Sequence, residues 1–139
     1  MSDLPQVQIY CDGAAQPNPG AAGVGVVLIC GEHRRELCEP IGRASNNGAE
    51  IMAAVTALRA LKKPCSVTVY SDSQYLVRTM NHEFQRGSNH ALWILLDQAA
   101  APHTVTWTWV RGHNGDPNNE RANTLAEQAV RLNDEGGLF

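Results

Sequence analysis

The 139-residue chain has no run near the roughly 20 consecutive apolar residues that cross a bilayer, so no membrane partner is expected. Its opening residues, Met1-Ser2-Asp3-Leu4-Pro5, lack the basic and apolar stretches of a secretory leader, and a cytoplasmic location is expected. Basic residues are in slight deficit, 11 against 14 acidic ones, giving a net charge of −3. That balance argues against holding nucleic acid by an overall basic field but leaves room for a local groove. The four cysteines (Cys11, Cys30, Cys38, Cys65) include no C-x-x-C pair, and the five histidines are dispersed. Buried free thiols are therefore expected, not a disulfide frame or a transition-metal cluster. No repeat, linker or low-complexity stretch divides the chain, and its length suits one domain over residues 1–139.

What is present is clear periodicity. Gln6 to Asp12 alternates with period two and predicts a strand ending at Asp12. Gly13 to Gly20, with Pro17, Asn18 and Pro19, predicts a turn. Strands are expected over Gly23–Cys30 and His33–Pro40, which makes residues 6–41 an antiparallel meander. Ser45-Asn46-Asn47 offers N-cap side chains to a helix in which Ile51, Ala54, Val55, Leu58 and Leu61 recur at helical spacing. Lys62-Lys63-Pro64 stops it. Val67 to Asp72 predicts a fourth strand, Ser73-Gln74 caps a short helix, and Leu92 to Ala101 forms another. Thr104 to Val110 alternates again, and Asn118 to about Leu132 closes the chain as a helix. This order predicts an α/β fold: a five-stranded mixed sheet, an antiparallel meander plus two parallel strands, flanked by helices. Trp93, Trp107 and Trp109 fall within these elements and are expected in the core.

The main chemical signal is acidic. Two predicted strands end in aspartate followed by a small residue, Asp12-Gly13 and Asp72-Ser73. If the strands are parallel neighbours, their carboxylates meet at the carboxyl edge of the sheet, where open α/β sheets bind ligands. Taken singly, either aspartate could merely cap a turn. Glu50 shares a helical stripe with Ala54, Ala57 and Leu61, so its carboxylate faces the sheet and is costly without a cation or donor. Three converging carboxylates repel one another, and a hard divalent cation with oxygen ligands, Mg²⁺ or Mn²⁺, resolves the conflict. After the last strand, Gly112 and Gly115 flank a loop that carries His113, and Pro117 opens the helix that presents Glu120 and Asn123.

The ordered set of motifs resembles type 1 ribonuclease H over nearly the whole chain. It comprises Asp12-Gly13 with Asn18-Pro19-Gly20, Asn46-Asn47-x-x-Glu50-x-Met52-Ala53-Ala54, Asp72-Ser73-Gln74-Tyr75, and Arg111-Gly112-His113 with Asn119-Glu120-Arg121. The resemblance implies a ribonuclease H-like fold and two-metal hydrolysis of the RNA strand of RNA–DNA hybrids by a monomer, leaving 5′-phosphate and 3′-hydroxyl ends. Asp12, Glu50 and Asp72 match the first three acids of the family's four-acid site. Asn123 stands where the family usually carries the fourth aspartate; it keeps a carbonyl ligand and loses the charge. By resemblance, Asp12 bridges both ions, Asp72 and Asn123 serve the nucleophile side, and Glu50 serves the leaving-group side. His113 relays a proton or aids product release, with Glu120 a possible accessory.

Asn18, Asn47 and Gln74 match residues that meet the minor groove and RNA sugars, while Arg43, Ser45 and Asn89 match a DNA-phosphate pocket. Many relatives insert a basic helix-loop between the short helices; here Leu76 to His90 is too short for it and carries only Arg78 and Arg86. Weak hybrid binding with a shallow salt dependence is expected. Two other readings stay open on sequence alone: a hybrid-binding protein disabled by Asn123, and another nuclease of the same fold that cuts duplex DNA.

Overall fold

A computed structural model describes residues 3–112 and 115–136. The strands are β1 (Gln6–Gln16), β2 (Gly20–Cys30), β3 (His33–Ala44), β4 (Ser66–Ser71) and β5 (Thr104–Trp109). The helices are α1 (Asn46–Arg59), α2 (Gln74–Met80), α3 (His90–Ala100) and α4 (Pro117–Gly136). One sheet runs β3-β2-β1-β4-β5, with β1–β2 and β2–β3 antiparallel and β1–β4 and β4–β5 parallel. The expected mixed sheet is therefore the observed one.

Alternation along the strands builds two apolar layers. Ile9, Cys11, Val24, Val26, Val67 and Val69 pack with Ile51, Val55 and Leu58 of α1 and with Leu76, Trp93 and Leu96 of α2 and α3. The opposite face brings Tyr10 and Val27 against Ala122 and Leu125 of α4. Tyr10 and Tyr70 stack there, with ring centroids 4.7 Å apart. All four cysteines are free, but only Cys11 and Cys65 are buried; Cys30 and Cys38 are half-exposed.

Several boundaries differ from the periodicity. β1 does not stop at Asp12 but continues to Gln16, because Asp12 to Gln16 stay paired with Gly25 to Ala21 of β2. Their small side chains read as a turn in sequence, yet the turn proper is confined to Pro17-Asn18-Pro19. β3 likewise extends to Ala44, past a register shift near Ala21 and Gly23. α3 begins at His90, two residues early, after Asn89 in the left-handed region (φ 60°). Trp93 is buried and Trp107 packs against the core, but Trp109 is 40% exposed, contrary to expectation. It ends the outermost strand.

Two glycines set how closely α4 approaches. A Cβ at Gly25 would strike the Ala122 carbonyl and the Ala126 amide, and one at Gly23 would meet Ala129 and Val130. Because the Gly25 obstacle is largely backbone, Gly25→Ala should lower stability by about 2–3 kcal/mol, read from the urea midpoint. The same lift of α4 would displace the side chains it delivers to the sheet edge.

Candidate active site

The parallel register brings the two aspartates together. The last β1–β4 pair is Tyr10 with Tyr70, and Asp12 and Asp72 each lie two residues beyond it. There the strands part: β1 continues along β2, while β4 ends at Ser71, whose carbonyl accepts from the Val110 amide at 2.9 Å. Glu50 enters from the second turn of α1. One oxygen from each of Asp12, Glu50 and Asp72 lies within 4.8 Å of the others.

Glycine makes this approach possible. A Cβ at Gly13 would collide with the Ala49 backbone, so only a residue without one lets α1 sit against β1. The Gly13 amide then donates to Glu50 Oε1. The start of α1 is fixed further by Ser45, whose hydroxyl accepts from the Gly48 amide (3.0 Å). Asn46 ties the helix to β1: its Oδ1 accepts from the Ala15 amide (2.8 Å), and its own amide donates to Asn18 Oδ1 (2.9 Å).

Electrostatically the cluster is unbalanced. Glu50 is only 8% exposed. Burial, then the charge of Asp72, pushes the Asp12 carboxyl up to about 7, while its hydrogen bond with Glu50 opposes the rise. Burial, and then Asp12, hold the Glu50 carboxyl well above the usual range against the pull of the Gly13 N–H. Among the described residues the ion pairs join Arg34 and Arg121 to Glu36 and Arg86 to Asp97, and none reaches these three acids. Three hard oxygen donors without a basic partner fit a divalent cation.

The amides of α4 complete the edge. Asp116 caps the helix, its Oδ1 accepting from the amides of Asn118 (2.9 Å) and Asn119 (3.1 Å). Asn119 and Asn123, one turn apart, face the acids together. With its nitrogen turned toward the sheet, Asn123 donates to Asp12 at 3.1 Å (Oδ2) and 3.3 Å (Oδ1). Asn119 is fully buried and donates to Asp72 Oδ2 at 3.5 Å, leaving its own Oδ1 without a partner. Asn119 carries no expected role in the sequence, where its i, i+4 spacing from Asn123 is the signal that points to it. Trp109 was missed as well: its indole N–H donates to the Asp72 carbonyl at 3.2 Å.

The remaining candidates are spread around this edge. Asn18, Asn47, Gln74 and Arg43 are exposed, and Asn18 is engaged with Asn46 as described. Ser45 caps α1, and Asn89 precedes α3, donating to the Tyr75 hydroxyl at 3.0 Å. Glu120 is exposed on α4, and His113 lies outside the described residues.

A pH effect follows from the raised Asp12 carboxyl. The folded state holds this proton more tightly than the unfolded chain, so its contribution is full in acid and is lost as pH rises through about 7. For this site, metal-free protein should melt higher near about pH 5 than near about pH 8. Millimolar Mn²⁺ should raise the melting temperature more at the higher pH, which differential scanning calorimetry reads directly.

Comparison with solved structures first places the architecture. The N-terminal RNase H domain of a Mycobacterium tuberculosis protein superposes with TM-score 0.79 at 23% identity, covering 96% of this chain and 99% of that one. LC9-RNase H1, described as a type 1 RNase H with the type 2 active-site motif, gives TM-score 0.82 at 27% identity, covering 96% of this chain and 75% of that one. The RNase H family model then matches residues 5–131, and the chain belongs to that family. It is 46% identical to a ribonuclease H of Cupriavidus metallidurans, covering 91% of this chain and 97% of the relative. A Shewanella amazonensis ribonuclease H is 42% identical, covering 94% and 92% respectively. The chain is accordingly an enzyme of the ribonuclease H class, a hydrolase with a carboxylate cluster able to hold metal.

Proposed function

We propose that this protein hydrolyses the RNA strand of RNA–DNA hybrids, leaving 5′-phosphate and 3′-hydroxyl ends, with two divalent cations, Mg²⁺ or Mn²⁺, held by Asp12, Glu50, Asp72 and Asn123. The observation that carries this reading is the convergence of three carboxylates that no basic residue among the described residues pairs with. LC11-RNase H1, solved in complex with an RNA/DNA hybrid, supports the substrate class: it is 25% identical, with TM-score 0.76, covering 91% of this chain and 97% of that one. Held by these four residues, such cations would supply Lewis-acid activation of the attacking water and charge stabilisation of the departing 3′-oxygen.

The chain's own residues supply the frame. Asp12 is the central ligand, set between Glu50 and Asp72 and oriented by Asn123. Turning the Asn123 amide by half a rotation presents its oxygen to the site instead of its nitrogen. The Gly13 N–H fixes the Glu50 carboxylate, and Asn119 fixes Asp72. His113 serves as the proton relay. Asn18, Asn47 and Gln74 read the 2′-hydroxyls that distinguish the RNA strand, and Arg43, Ser45 and Asn89 receive a DNA phosphate. Glu120 remains an accessory on the outer side of α4. The enzyme works as a monomer in the cytoplasm. The alternative of a disabled binding protein has no observation in its favour.

Binding should depend little on salt. Arg86 is held by Asp97 through two hydrogen bonds (2.6 and 2.8 Å), and its guanidinium lies over Trp93. Arg43 and Arg78 are left as exposed candidates near the duplex. Plotting log binding constant against log salt should give a slope of about −2 to −3.

The direct test incubates the protein with a hybrid labelled on its RNA strand, under Mg²⁺ and under Mn²⁺. RNA fragments ending in 3′-hydroxyl, extendable by a polymerase, are the expected products. Failure to cut under either metal, or cleavage of duplex DNA instead, overturns the proposal.

A further inference from the structure

The charge that Asn123 lacks has a second source on the same helix. Asn119, Asn123 and Glu127 recur at four-residue intervals and so lie along one stripe of α4. The stripe runs outward from the acids: Asn119 is fully buried, Asn123 half-buried and Glu127 exposed. β1 runs beside it in the same direction. Asp12 pairs with Gly25, where a Cβ would strike Ala122 and Ala126, and Ala14 pairs with Gly23, where one would strike Ala129 and Val130. Glu127 falls between these two contacts. A hollow of about 250 Å³ opens there, lined by Ala14, Gln16, Glu127, Val130 and Arg131. Ala14 lies two residues beyond Asp12, on the same face of β1, so the hollow adjoins the acids. Liquid water takes about 30 Å³ per molecule, which leaves room for several.

Glu127 is not engaged elsewhere. Among the described residues it enters no ion pair, although Arg131 stands one turn on and lines the same hollow. Its charge already reaches the cluster, adding to the push that Asp72 exerts on the Asp12 carboxyl. A merely solvated surface glutamate would have no link to the acids; the helix register, the shared hollow and the field at Asp12 give Glu127 one. Three ionised carboxylates leave two divalent cations one negative charge short, and the amide of Asn123 cannot supply it. We propose that Glu127 is a positioning carboxylate for these cations, acting through water across the hollow and supplying the charge that an aspartate at position 123 would carry. This rests on the two-cation reading above. Outer carboxylates of this kind are typically worth about 10–100-fold in metal affinity.

The test measures Mn²⁺ binding to the full chain by isothermal titration calorimetry. Glu127→Gln should weaken binding by about tenfold, and Glu127→Asp by about threefold at most. In an Asn123→Asp background, where the fourth carboxylate is restored, Glu127→Gln should cost about twofold or less. Glu32→Gln removes the same charge from the turn between β2 and β3, at the far end of the sheet, and should leave binding unchanged. With a chelator present, Glu127→Gln should melt no lower than the parent, because it relieves repulsion at Asp12. Unchanged Mn²⁺ affinity, a loss matched by Glu32→Gln, or an equal loss in the Asn123→Asp background overturns the proposal. A loss accompanied by a lower metal-free melting temperature marks a structural role and overturns it too. Hybrid cleavage by the parent keeps the two readings apart. A parent that cuts while Glu127→Gln binds Mn²⁺ normally defeats this inference alone; a parent that neither binds Mn²⁺ nor cuts defeats both.

Discussion

Replacing Asp12 by asparagine should reduce hybrid cleavage by on the order of a thousandfold or more, while raising the stability of the metal-free protein. Both effects come from one position. Asp12 lies half-buried against Asp72 and Glu50 and is the acid that Asn123 reaches. Removing its charge takes away several kcal/mol of cation binding, and each ~1.4 kcal/mol is about tenfold in rate. In the absence of metal, the same change removes a repulsion that burial makes expensive, so the melting temperature near neutral pH rises. Cleavage assays and calorimetry on one preparation check both halves. A variant that cuts as fast as the parent would dismiss Asp12 as a ligand. A variant that is merely unfolded would melt lower, not higher.

Asn123→Asp should act in the opposite sense on both counts. A fourth carboxylate adds charge where cations bind, so the Mg²⁺ concentration for half-maximal cleavage should fall by about tenfold. In metal-free protein the two hydrogen bonds from Asn123 to Asp12 are lost, and a carboxylate faces a carboxylate. Stability at neutral pH should then drop by about 1–3 kcal/mol. Titrating activity against Mg²⁺ and melting the protein with a chelator separate the gain from the cost. An unchanged metal requirement would mean that residue 123 does not serve the cations.

The uneven legibility of this site has physical causes. Asp12, Glu50 and Asp72 could be picked out because each obeys a local rule: two aspartates follow alternating strands, and Glu50 shares the inward stripe of a helix. The parallel register then carries the aspartates to matching heights, as a parallel pair should. The contact of Asn123 with Asp12 was not readable, because it depends on where α4 lies, and that is set by two glycines on β2 a hundred residues away. Asn119 was hidden for the same reason. The end of β1 was misjudged because Gly13 to Gln16 carry turn-like composition, whereas their pairing is imposed by β2. Trp109 followed the alternation faithfully, but no pattern within β5 reveals that its last residue is left 40% exposed.

The placement of β3 also bears on how the protein behaves in concentrated solution. It forms one border of the sheet, with one side of its backbone unpaired by any strand. Such borders invite another molecule to zip on and seed fibrous aggregates. Here Arg34, Arg35, Glu36 and Glu39 crowd the strand with both signs of charge, and Pro40 withholds an amide. A second copy laid alongside would have to strip water from those groups, so the border is guarded against self-templating.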